Sequence, residues 1–166
     1  MRNVGSGSLA ALAILLPIGA AWAGGAKDGH YGFGEPGTAT EVTRTVEVIV
    51  EDRDGMKFVM DVPSIRLGEV IRFVITNTGS MDHEFSVGDR ATQLAHAKLM
   101  ANNPDIKHMD DPTSAHVAPG ETKSVIWKFN QPIQGDVVFA CPMAGHLEAG
   151  MTYQAKLETH SKPKTS

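Results

Sequence analysis

Over residues 44–50 the sequence places Val46, Val48 and Val50 on one side and Thr45, Glu47 and Ile49 on the other. Successive side chains leave a strand on opposite faces, so this period of two predicts a half-buried strand. A turn is predicted at Asp52-Arg53-Asp54-Gly55, and short strands over 56–60 and 64–67, before a turn at Gly68. The strongest lies in EVIRFVITN, where Val70, Arg72, Val74 and Thr76 alternate with Ile71, Phe73 and Ile75. HEFSV (83–87) continues the β character beyond a turn at Thr78-Gly79-Ser80, and further strands are expected over 122–129, 135–141 and 151–158. The pattern changes once. ATQLAHAKLMA (91–101) consists of good helix formers, with Leu94, Ala97, Lys98 and Ala101 at helical spacing. The polar, Pro-containing excursion NNPDIKHMDDPTSAH follows. Many short strands around a single helix predict an all-β fold, an antiparallel β-sandwich or barrel.

The N-terminus changes the picture of where this domain works. Arg2 is a short basic start, residues 9–21 form an apolar run, and Ala21-Trp22-Ala23 is a small-x-small cleavage pattern. Residues 1–23 therefore read as a secretory signal peptide. Residues 24–41, rich in Gly and small residues, are expected to be a flexible exposed arm; 42–159 form one domain and 160–166 a frayed tail. The formal charge of −4 becomes −5 once the leader, whose one charged residue is Arg2, is removed. That acidic balance argues against nucleic acid or an anionic membrane as the main partner.

Composition sharpens the question through a single cysteine. Exported proteins usually pair their cysteines, and Cys141 has no partner within the chain. An inert buried thiol is the bland alternative; a metal, a reactive thiol or a partner chain are the others. Cys141 lies in FACPMAGHLEAGM, with His146 five positions on and Met151 five beyond that. A blue copper site takes two imidazoles and a thiolate near one plane, with a weak axial thioether. This loop supplies three of the four donors. Gly145 and Gly150 permit the bends that would turn His146 and Met151 back toward the sulfur. The fourth donor must come from another segment, and His83, at the start of a predicted strand, is the best placed.

At these residues the sequence resembles the cupredoxins, small Greek-key β-sandwiches with a type 1 copper. The likeness spans residues 42–158, and the family's ligand pattern falls on His83, Cys141, His146 and Met151. It most resembles the periplasmic cupredoxins associated with copper tolerance, through His83-Glu84-Phe85, His108-Met109-Asp110-Asp111-Pro112, Pro119-Gly120-Glu121-Thr122, residues 139–151 and the FGEPG of the arm. Glu84 departs from the many electron carriers that place Asn after the first His, so their hydrogen bonding at that point does not carry over. The resemblance implies a Greek-key sandwich, one redox-active copper, a periplasmic location and a role in copper tolerance. A one-electron shuttle between periplasmic redox partners is the alternative role.

Other readings compete with this one. Met143, two residues from Cys141, rivals Met151 as the axial thioether. Zinc is the runner-up metal, but structural zinc sites seldom use thioether. A two-copper electron-transfer centre needs two bridging thiolates, and a multi-site copper oxidase more motifs than this chain holds. A thiol nucleophile with His146 as base lacks supporting residues, so no enzyme is expected beyond a possible oxidation of Cu(I). His96, Met100, His108, Met109 and His116, with His30 in the arm, form a candidate auxiliary copper surface or an incidental set of polar-loop residues. A monomer is expected.

Overall fold

The computed structural model describes residues 31–103 and 111–159; the proposed leader, the start of the arm, His30, His108, Met109 and the tail lie outside them. Two five-stranded sheets face each other. The first runs β1 (Glu35–Pro36), β8 (Thr122–Lys128), β5 (Val70–Asn77), β2 (Arg44–Glu51) and β3 (Lys57–Val59), in that spatial order. The second runs β4 (Ser64–Arg66), β10 (Thr152–Glu158), β9 (Asp136–Ala140), β6 (His83–Gly88) and β7 (Ser114–Val117). Pairing is antiparallel except for β2 with β5 and β4 with β10, which are parallel. The sandwich expected from the strand pattern is present.

The period-two faces become the core. Val46, Val48 and Val50 are buried along β2, as are Ile71, Phe73 and Ile75 along β5. Across the interface Phe73 meets Phe85 of β6 at 5.4 Å and Phe139 of β9 at 5.1 Å between ring centroids, and the latter two stack at 5.4 Å. Fully burying one such ring contributes about 1.5–3 kcal/mol, so this cluster fixes how the two sheets register.

Three sequence expectations are corrected. First, part of the arm is not exposed: Phe33 and Gly34 are buried, while Thr38 to Glu41 remain exposed. Phe33 is buried and stacks on Trp127 at 5.1 Å, whose indole N–H donates to the Phe33 carbonyl at 3.4 Å. Two aromatic residues among the glycines supply enough apolar area to hold the segment down. Second, helix α1 (Arg90–Asn102) buries Gln93, Ala97 and Met100, while Leu94 faces solvent. Gln93 turns inward because its amide N–H groups donate to the Ser86 carbonyl at 3.0 Å and the Val138 carbonyl at 2.9 Å. Third, the excursion ends in strand β7, paired with β6 through Ser86↔Ser114 and Glu84↔His116. Covered by β7 at its edge and α1 outside, β6 is buried at all six positions.

Candidate metal centre

Strand order explains why distant residues meet. Strands β10, β9 and β6 are neighbours, and β9 runs antiparallel to both. The end of β9 therefore lies beside the beginnings of β6 and β10. Cys141 follows β9, His83 opens β6, and Met151 immediately precedes β10. The Cys141 amide donates to the Met151 carbonyl at 3.2 Å, which extends the β9–β10 ladder by one pair. Between them the chain coils: His146 N–H donates to the Met143 carbonyl and Met151 N–H to the His146 carbonyl, both at 3.0 Å. Gly145 and Gly150 close these bends with φ of 85° and 91°, a region that disfavours any residue with a Cβ.

One ligand atom from each of His83, Cys141 and His146 lies within 4.8 Å of the others, the single group of its kind among the described residues. His83, Cys141 and Met151 are fully buried; His146 is half-buried, between exposed Ala144 and half-buried Leu147. Cys141 Sγ is 3.3 Å from His146 Nδ1, and the two imidazole centroids are 5.1 Å apart. The Glu84 backbone N–H donates to the sulfur at 3.3 Å. Burial nevertheless dominates and pushes the thiol from its ordinary 9.0 up to about 11, while the amides of Glu84 and Met143 pull the other way. Burial, and then the charge of His83, lowers the His146 pKa.

His83 tests whether these residues fit a metal. Neither ring nitrogen has a hydrogen-bond partner, although both are buried. Nε2 lies 3.5 Å from Asp52 Oδ2, within ion-pair range but longer than a hydrogen bond. A buried polar nitrogen left in this state costs about 1–3 kcal/mol, which a bound ion would offset. Two imidazoles and a thiol form a soft to borderline set suited to copper or zinc rather than to calcium or magnesium. The set and its buried nitrogen fit copper.

Of the other candidate histidines, the two among the described residues, His96 and His116, lie outside this group. His96 Nε2 is 3.6 Å from Glu84 Oε1, and His116 Nε2 is 3.6 Å from Asp82 Oδ2. Met100 is buried on the inner face of α1, so it is not part of an open capture surface. Met143 is half-buried against the core. Sequence reasoning assigned Asp52 only to a turn, yet its carboxylate reaches the His83 loop. An Asp followed by Arg-Asp-Gly looks like turn chemistry, and nothing local reveals a partner 31 positions away.

Known proteins resemble this chain in sequence and in fold. No family model matches the chain. It is 40% identical over 134 residues to the copper-resistant cuproprotein CopI of Rubrivivax gelatinosus, covering 80% of this chain and 78% of that one. It is 38% identical over 132 residues to the copper-resistant cuproprotein CopI of Vibrio cholerae serotype O1, covering 78% and 75%. Among solved structures, auracyanin B superposes with a TM-score of 0.58 at 23% identity, over 75% of this chain and 95% of that one. The structural likeness speaks for the fold alone, a cupredoxin sandwich. Among the described residues no helix is long and apolar enough to cross a membrane.

Proposed function

This chain belongs to the CopI family of copper-resistant cuproproteins, and from that premise we propose that it binds one type 1 copper and serves copper tolerance in the periplasm. The observation that carries the reading is the meeting of His83, Cys141 and His146 at the shared end of β6, β9 and β10. These three residues would hold the ion, and Met151, buried at the same strand ends, would supply the thioether in preference to Met143. When bound, copper supplies a one-electron couple between Cu(I) and Cu(II).

The chain's own residues do the rest. Cys141 releases its thiol proton on binding and becomes the thiolate, so uptake frees a proton into a pocket that otherwise favours the neutral sulfur. The Glu84 N–H then points at a negative sulfur and strengthens as a charge-assisted bond. Anchoring on three paired strands holds the donors in one arrangement for both oxidation states. His146, half-buried between exposed Ala144 and half-buried Leu147, carries the pocket toward the surface.

The periplasmic assignment rests on the basic start, apolar run and cleavage pattern of residues 1–23. The protein is read as a monomeric carrier that sequesters or passes on copper, not as an enzyme. The half-exposed His146 supports a second reading, a one-electron shuttle docking on the apolar rim of that loop. Deleting the gene separates the two. Heightened copper sensitivity without a respiratory defect is expected; unchanged tolerance with a respiratory defect would reject the tolerance role.

A further inference from the structure

Asp52 immediately follows β2 of the first sheet and is far in sequence from every residue of the pocket. Its side chain is 2% exposed. One oxygen, Oδ2, accepts the Ser80 N–H at 2.6 Å and the Met81 N–H at 2.9 Å, and lies 3.5 Å from His83 Nε2. The carboxylate thus holds the loop that delivers His83 and also faces the imidazole itself. Residue 79 is a glycine where the two segments press together: a Cβ there would collide with the Asp52 carboxylate. Asn77 braces the same loop from the other side. Its amide donates to the Met81 carbonyl at 2.8 Å and the Val117 carbonyl at 2.9 Å, and its oxygen accepts the Gly79 N–H at 2.9 Å.

We propose that Asp52 is a positioning residue for His83, fixing the ring with its proton on Nε2 and its Nδ1 lone pair toward the metal. The inference rests on the copper reading of His83 given above. A neutral imidazole carries one proton, and a carboxylate oxygen beside Nε2 makes that nitrogen the donor. Nδ1, buried and without a hydrogen-bond partner, is then the basic nitrogen presented to the ion. A small rotation of the ring closes the 3.5 Å gap to a hydrogen bond. Carboxylates that accept from the far nitrogen of a ligating histidine set its tautomer and raise its basicity. The added negative charge favours Cu(II) over Cu(I), so Asp52 tunes the couple as well as the geometry. The link also joins the sheets: Asp52 follows a strand of one and His83 opens a strand of the other.

The test begins with the metal-free protein, whose long-range ¹H–¹⁵N spectrum at neutral pH reports the His83 tautomer. A proton on Nε2 is expected; a proton on Nδ1 overturns the proposal without bearing on whether copper binds. Asp52→Asn keeps one acceptor oxygen for the loop amides but removes the charge. It should lower Cu(II) affinity by about 10- to 100-fold and Cu(I) affinity less. Each tenfold difference between the two losses raises the reduction potential by about 59 mV. If Asp52→Asn lowers only the melting temperature of the metal-free protein, leaving Cu(II) affinity within about twofold of the parent and the potential within about 18 mV, Asp52 merely staples a turn and the proposal falls. Should that variant fail to fold, the parent tautomer still decides. Failure of the parent to bind Cu(II) would instead sink the copper reading.

Discussion

Two regions of this protein collect histidine and methionine, and they are built differently. At the shared end of β6, β9 and β10, His83, Cys141, His146 and Met151 are each tied to a separate strand end or to a glycine-closed turn, and ligand atoms of the first three meet within 4.8 Å. Along α1 and β7, His96, Met100 and His116 lie closer together in sequence, yet the methionine turns into the core and the two imidazoles face different carboxylates. Sequence proximity of donors does not make a site. Paired strands do, because their ladders fix where each side chain begins.

The sharpest way to break the comparison is to remove the sulfur. Cys141→Ser should abolish the intense sulfur-to-copper charge-transfer band of the Cu(II) protein, as read in a visible titration, because an alcohol replaces the thiolate donor. Gln93→Ala should cost about 1–3 kcal/mol in denaturant unfolding, since it strips two buried carbonyls of their partner. The copper band should survive that change, which separates α1's structural task from metal binding. Gly150→Ala forces a Cβ into a left-handed turn and should cost about 1–2 kcal/mol, with a shifted band because Met151 follows directly. His96→Ala and His116→Ala should leave the copper band of the Cys141 site in place in a visible titration, since neither imidazole belongs to the group that meets there.

The smallest effect belongs to the opposite end of β5, where Lys128 pairs with Val70. Hydrogen bonds from Thr38, then the bond from Lys128, hold the Glu41 carboxyl down at about 2 against an ordinary 4.5. A depressed carboxyl contributes stability above its unfolded value and loses it as pH falls toward the folded one. Thermal melts between pH 5 and 2 should therefore show a slightly shallower acid limb for Glu41→Gln, with no change in the copper spectrum. A changed spectrum would mean that the two ends communicate.

Much of this was legible in the sequence because it is local. The alternation in β2 and β5 marks their buried faces, and the spacing of Cys141, His146 and Met151 in a glycine-containing loop marks the donors. His83 was found because it opens a strand, and the resemblance to cupredoxins joined it to the loop. What escaped depends on tertiary neighbours. The inner face of α1 is set by Gln93 reaching two sheet carbonyls, and a glutamine carries no signal of being inside. Strand β7 forms in a polar stretch because β6 offers an open edge. Tyr31 and Phe33 looked like passengers in a glycine-rich arm until Trp127 supplied a surface to stack on. Asp52 looked like part of a turn, and only the fold brings it to His83.

X-ray absorption at the copper edge of the protein loaded with one equivalent of Cu(II) tests the central claim most directly. The account predicts one short copper–sulfur bond with two imidazole nitrogens, and loss of that sulfur in Cys141→Ser. A copper bound by nitrogen and oxygen alone, unchanged in Cys141→Ser, would contradict it.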